Sequence, residues 1–141
     1  MKTTETPVYL LDTSAILTLL EAEAGADRVE RLLRSETILL PFVVSLEVYY
    51  ITMQECGEEE ANVRYAMLKS LPVVHLRAVD EPVLLLAAAL KAHHRISLAD
   101  AIISAFAGHH RATLVHKDPE FATLEGRILL EALPYKGSKR R

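Results

Sequence analysis

Apolar runs of about four residues, each followed by a longer stretch of helical periodicity, constrain this chain more than any other feature. The first is Val8-Tyr9-Leu10-Leu11, apolar throughout rather than alternating, as in a strand buried on both faces. It delivers Asp12-Thr13-Ser14, where Ser14 or Thr13 can cap a helix whose apolar stripe is Ile16, Leu17 and Leu20. Gly25 separates this helix from a second that runs to about Arg34 and buries Val29, Leu32 and Leu33. Thr37 to Leu40 is the next strand-like run, and Pro41 opens a helix from Phe42 to Glu55. Gly57 stops it, and Glu58-Glu59-Glu60 supplies the negative first turn of a helix continuing to Leu71. Pro72, a strand over Val73 to Leu76, and a helix opened by Asp80 and Pro82 and running through Leu90 follow in order. Ser97 caps another helix, which Gly108 terminates. Thr113 to Val115 and Arg127 to Leu130 read as the last strands, divided by a turn at Asp118-Pro119 and a short helical piece around Phe121 to Leu124.

Short apolar strands alternating with helices imply βαβ units, and hence an α/β fold: a three-layer α/β/α sandwich around a central parallel sheet. A length of 141 residues suits one domain, expected over 1–135, with a basic and frayed tail over 136–141. A net charge of -3 excludes a protein that coats nucleic acid by charge alone, so any such contact must be local. The single cysteine, Cys56, allows neither an internal disulfide nor a thiolate metal site; it favours a reducing, cytoplasmic setting and reads as a core thiol. Asp12 interrupts the N-terminal apolar stretch, which argues against a signal peptide, and no run approaches the ~20 apolar residues a membrane helix needs.

Ligands of open parallel sheets bind beyond the carboxyl ends of the strands, where Asp12 and Asp118 both fall. Asp12 has an ordinary explanation as a helix cap, and Asp118-Pro119 as a turn. Glu47 lies within the nearly all-apolar stretch Phe42 to Ile51, although a solvent-facing stripe of Ser45, Glu47 and Thr52 accounts for it too. Asp100 stands in Leu98-Ala99-Asp100-Ala101-Ile102-Ile103, sharing its side of the helix with Ser104 alone; the competing explanation is a capping box with Ser97. A buried carboxylate needs a cation, a metal or a raised pKa. A cluster of them suits a divalent ion with oxygen ligands, Mg²⁺ or Mn²⁺, capable of orienting a phosphodiester and activating water.

These residues resemble the PIN-domain ribonucleases, most closely the VapC toxins of toxin–antitoxin pairs. Leu11-Asp12-Thr13-Ser14-Ala15 is similar to the family's first acidic motif, Ser45-Leu46-Glu47-Val48 to its second, and Ser97 to Ile103 to its third. Val115-His116-Lys117-Asp118-Pro119-Glu120-Phe121 is similar to the last. The resemblance implies a metal-dependent endoribonuclease with Asp12, Glu47, Asp100 and Asp118 around Mg²⁺ or Mn²⁺, Ser14 holding the acids in place and Glu120 as an accessory acid. It also implies a homodimer held by a cognate antitoxin. His116 departs from the pattern, which usually has Thr or Ser there; a neutral His116 can still hydrogen-bond a ligand or phosphate, but reads first as a satisfied surface histidine. That departure keeps an alternative open, a PIN-like binding module whose acidic pocket has lost turnover.

Other chemistries find less support. His93-His94 and His109-His110 are adjacent pairs whose side chains should diverge, which argues against zinc. The glycines are scattered, with no phosphate loop and no G-x-S-x-G elbow. Basic residues able to meet an RNA backbone are Arg95, Lys117, Lys91, Lys139, Arg140 and Arg141, and stacking candidates are Tyr49, Tyr50 and Phe121.

Overall fold

A computed structural model describes residues 6–136. Five strands form one sheet in the order β3-β2-β1-β4-β5, every neighbouring pair parallel. They are β1 (Val8–Leu11), β2 (Thr37–Pro41), β3 (Val74–Leu76), β4 (Thr113–His116) and β5 (Leu130–Ala132). Between them run α1 (Thr13–Leu20), α2 (Ala26–Ser35), α3 (Phe42–Cys56), α4 (Glu58–Ser70), α5 (Glu81–His93) and α6 (Leu98–His109), with a short 3₁₀ turn over Pro119–Leu124. The expected α/β/α arrangement around a parallel sheet is the one found. α1 packs against α2 and α3, α3 against α4, and α5 against α6.

The chain steps outward from β1 to β2 and β3, then returns to place β4 on the other side of β1. The strand order therefore reverses between β1 and β4, opening a crevice at their carboxyl ends. Leu10 pairs with Leu114 and Leu11 with Val115, so the residues that follow the two strands emerge side by side. The core beneath is apolar: Leu10, Leu11, Ile16, Leu114, Val115, Ile103 and Phe121 are fully buried. Gly108 lets α6 come close to its neighbours, since a Cβ there would stand 2.9 Å from Ile128 Cδ1 and 3.2 Å from Leu86 Cδ2.

Two local expectations are corrected. The last strand begins at Leu130 rather than Arg127, because Arg127 and Ile128 donate their amides back to Leu124 at 2.9 and 3.1 Å and so belong to a turn at Gly126. Cys56 is exposed at the end of α3 instead of lying in the core. Of the expected basic tail only Lys136 is described, and it pairs with Glu23 at 3.2 Å; Lys139, Arg140 and Arg141 lie outside the described residues. Among the described residues no helix is long and apolar enough to cross a membrane.

Candidate active site at the carboxyl edge of the sheet

Asp12 is the first residue beyond β1, and its amide donates to Val115 O at 3.0 Å, extending the β1–β4 pairing by one residue. It is also the N-cap of α1, where Ser14 or Thr13 was expected: Asp12 Oδ2 accepts from the Ser14 amide at 3.1 Å and from Ser14 Oγ at 2.6 Å. Capping uses one oxygen only. Oδ1 is buried and has no hydrogen-bond partner among the described residues. Burial pushes the Asp12 pKa up to about 6, the Ser14 hydrogen bonds pull against that rise, and the Glu47 charge adds to it.

Ser14 does a second thing. Its Oγ accepts the Lys117 amide at 2.8 Å, tying the start of α1 to the segment after β4. Thr13, which sequence reasoning offered only as a cap, donates from Oγ1 to Glu47 Oε1 at 2.6 Å and so fixes the half-buried α3 carboxylate relative to β1. Nothing local in the sequence pairs residues 34 positions apart.

On the other side of the crevice, Asp118 accepts the Glu120 amide through Oδ1 at 2.9 Å, the turn that starts the 3₁₀ segment. Asp100 occupies the first turn of α6, and its amide donates to Ser97 Oγ at 3.1 Å, the forward half of the capping box. Carboxylate oxygens of Asp100, Asp118 and Glu120 all lie within 4.8 Å of one another, and among the described residues this is the one such group of three. Glu120, expected as an accessory, thus belongs to the tightest set, whereas Asp12 and Glu47 stand outside it. They act on it through space: the Asp100 pKa is pushed up to about 7, first by burial, then by the charges of Asp12, Glu47 and Asp118.

A divalent cation fits this donor set. An orphaned buried oxygen on Asp12 and an Asp100 carboxyl destabilised by three like charges are what oxygen ligation of such an ion would relieve. Both observations come from residues that stand on different elements, brought together by the β1–β4 reversal.

His116 is not a surface residue. It is 2% exposed, because β4 ends in the core between the rings of Phe121 at 4.9 Å and Tyr135 at 6.2 Å, and burial holds its pKa below the usual histidine range. Lys117 is only 5% exposed and bound to Glu23 at 3.2 Å; Lys91 donates to Ile96 O at 2.9 Å and is exposed, as is Arg95. Phe121 is core, while Tyr50 is exposed. His109 and His110, expected to diverge, meet edge to face at 5.1 Å.

Residues 9–126 match the PIN domain family. The chain belongs to that family. The PIN fold extends to solved structures that share it at low identity. VapBC2 from Rickettsia felis, bound to a DNA fragment from its promoter, is 18% identical, with a TM-score of 0.74 over 90% of this chain and 99% of that one. VapBC-1 from nontypeable Haemophilus influenzae is 20% identical, with a TM-score of 0.68 over 89% and 97%. Mycobacterium tuberculosis VapC20, a sarcin–ricin-loop-cleaving toxin, is 18% identical, with a TM-score of 0.68 over 90% and 99%. A comparison with curated proteins gives no match. This PIN chain therefore carries the architecture of VapC toxins, with its acids gathered at the β1–β4 crevice.

Proposed function

We propose that this PIN domain, spanning 1–135, is a divalent-cation-dependent endoribonuclease and the toxin of a toxin–antitoxin pair. The observation that carries the reading is the gathering of Asp100, Asp118 and Glu120, whose carboxylate oxygens lie within 4.8 Å of one another, with the Asp100 pKa pushed up to about 7 first by burial and then by the charges of Asp12, Glu47 and Asp118. Mg²⁺ or Mn²⁺, when bound, would position a phosphodiester and offset the charge that develops as water displaces the leaving sugar oxygen. Asp100, Asp118 and Glu120 would hold the ion most closely, with the free Oδ1 of Asp12 and Glu47 completing the surround.

The chain's own residues do the rest by orientation. Ser14 fixes Asp12 and the Lys117 peptide together, and Thr13 aims Glu47. These contacts set the acids before substrate arrives, so little reorganisation remains for the reaction itself. RNA would be recognised through shape and backbone.

An antitoxin partner is supported by the toxin–antitoxin complexes among the structural neighbours. An Arg or Lys from it entering the acidic crevice would relieve the same repulsion as a cation. A homodimer is supported by the apolar side chains left uncovered on α3 (Leu46, Tyr50, Met53), α4 (Val63, Met67) and α5 (Leu84, Leu85). The setting we propose is cytoplasmic.

The test is cleavage of short labelled single-stranded RNAs by antitoxin-free protein with Mn²⁺, Mg²⁺ or EDTA, beside Asp100→Asn. Metal-dependent cleavage absent from the variant is expected. Cleavage that survives both EDTA and the substitution would reject the assignment.

A further inference from the structure

Past the end of β4, the segment that carries Asp118 is held mainly by side-chain-to-backbone bonds. Lys117 N goes to Ser14 Oγ at 2.8 Å, and Glu120 N goes to Asp118 Oδ1 at 2.9 Å. Phe121 N goes to Asp118 O at 3.1 Å. Between them, the Asp118 amide donates to the imidazole Nδ1 of His116 at 3.1 Å. A ring nitrogen that accepts carries no proton, so His116 is the neutral tautomer protonated on Nε2. Its ring has little freedom, being buried and flanked by Phe121 and Tyr135.

We propose that His116 is a positioning residue. Its imidazole fixes the peptide of Asp118 two residues on, and through that peptide sets where the Asp118 carboxylate stands relative to Asp100 and Glu120. Without this acceptor the amide just past the end of β4 would lose its partner, and the peptide could rotate. Rotation would carry the carboxylate with it, away from a set whose oxygens lie within 4.8 Å. The consequence for metal binding and turnover rests on the nuclease function proposed above; the bond itself does not.

A competing role is plain packing, with the ring serving only to fill the space between Phe121 and Tyr135. Two substitutions separate the roles because they invert each other. His116→Leu keeps an apolar filling and removes the acceptor; His116→Asn keeps an acceptor, Oδ1, near the place of Nδ1 and removes the ring. Positioning predicts that Asn is tolerated and Leu is not, and packing predicts the reverse.

The experiment uses the full chain, with ¹⁵N spectra of the histidine rings, hydrogen exchange at the Asp118 amide, Mn²⁺ titration by calorimetry, and kcat and KM on RNA. The wild type should show the tautomer protonated on Nε2 and a protected Asp118 amide. His116→Asn should keep Mn²⁺ affinity within about threefold, whereas His116→Leu should lose about 10–100-fold, the range typical when a group supporting a metal ligand is removed. In His116→Leu, Asp118 exchange should accelerate and kcat fall with KM little changed. A proton on Nδ1 in the wild type overturns the proposal. So does a Leu variant that matches wild type in both Mn²⁺ affinity and Asp118 exchange. If wild type binds no Mn²⁺ and cuts no RNA, the nuclease function fails, and the tautomer and amide exchange still decide whether His116 holds the Asp118 peptide.

Discussion

Asp100→Asn should make the metal-free protein more stable at pH 8. The Asp100 carboxyl titrates near 7 in the folded chain against 3.8 for an ordinary aspartate, because burial and three neighbouring acids oppose its charge. A native state that holds its proton more tightly than the unfolded chain is fully favoured below about pH 4 and loses that advantage as pH rises to about 7, after which the loss is level. At ~1.4 kcal/mol per pKa unit the upper bound is about 4 kcal/mol. Asp100 is only partly buried, so solvent screening reduces this to about 2 kcal/mol. For a chain of this length that is about 8 °C in Tm. Asparagine keeps the amide that donates to Ser97 Oγ and removes the charge, so the cap survives. Thermal unfolding in EDTA, followed by circular dichroism from pH 4 to pH 8, should show a gap between variant and wild type that widens to pH 7 and then stays constant. Burial lowers the pKa of His75, His110 and His116, which gives the opposite trend with pH, but these groups are common to both proteins and cancel in the difference. A variant no more stable than wild type at pH 8, or a gap independent of pH, would refute the reasoning.

Mn²⁺ should raise the Tm of the wild type more at pH 8 than at pH 5, since Asp12 near 6 and Asp100 near 7 must be deprotonated to serve as ligands; EDTA should abolish the increase, and equal increases at both pH values would speak against the acid cluster as the site. Thr13→Val removes the 2.6 Å bond to Glu47 and should lower kcat/KM about tenfold at a stability cost of about 1 kcal/mol, read by initial rates and melts; unchanged rates would remove Thr13 from the orientation of Glu47. Replacing Leu84 and Leu85 together by Glu should give a monomer by light scattering with unaltered circular dichroism, and an unchanged mass would place self-association elsewhere.

The fold was legible because it is written in local pattern. Strands covered on both faces read as short apolar runs, and Val8 to Leu11, Thr37 to Leu40 and Thr113 to Val115 were read so; β2 and β4 each run one residue further, to Pro41 and His116. The acids were legible because they interrupt or terminate such patterns. What stayed hidden depends on the other end of a contact. Lys117 looked available for RNA until Glu23, 94 residues earlier, was found beside it. His116 looked exposed because a histidine at a strand end has no periodicity to mark it as core; its burial follows from Phe121 and Tyr135 closing over it. Glu120 looked peripheral in sequence, yet the turn made by Asp118 brings it into the closest set.

The two explanations weighed for Asp12 turn out not to compete. A helix cap needs one carboxylate oxygen, and Oδ2 supplies it, held by the amide and hydroxyl of Ser14. The same bonds lock the rotamer that leaves Oδ1 buried without a partner among the described residues. Capping is thus the device that sets the orientation of the second oxygen, and the hydroxyl that assists it also holds the Lys117 peptide next to Asp118. The capping box at Ser97 and the turn at Asp118 repeat the logic: each ordinary structural motif fixes a backbone from which one carboxylate enters the crevice. Local stabilisation of helix and turn termini therefore offsets part of the repulsion among acids that the β1–β4 reversal gathers at one edge.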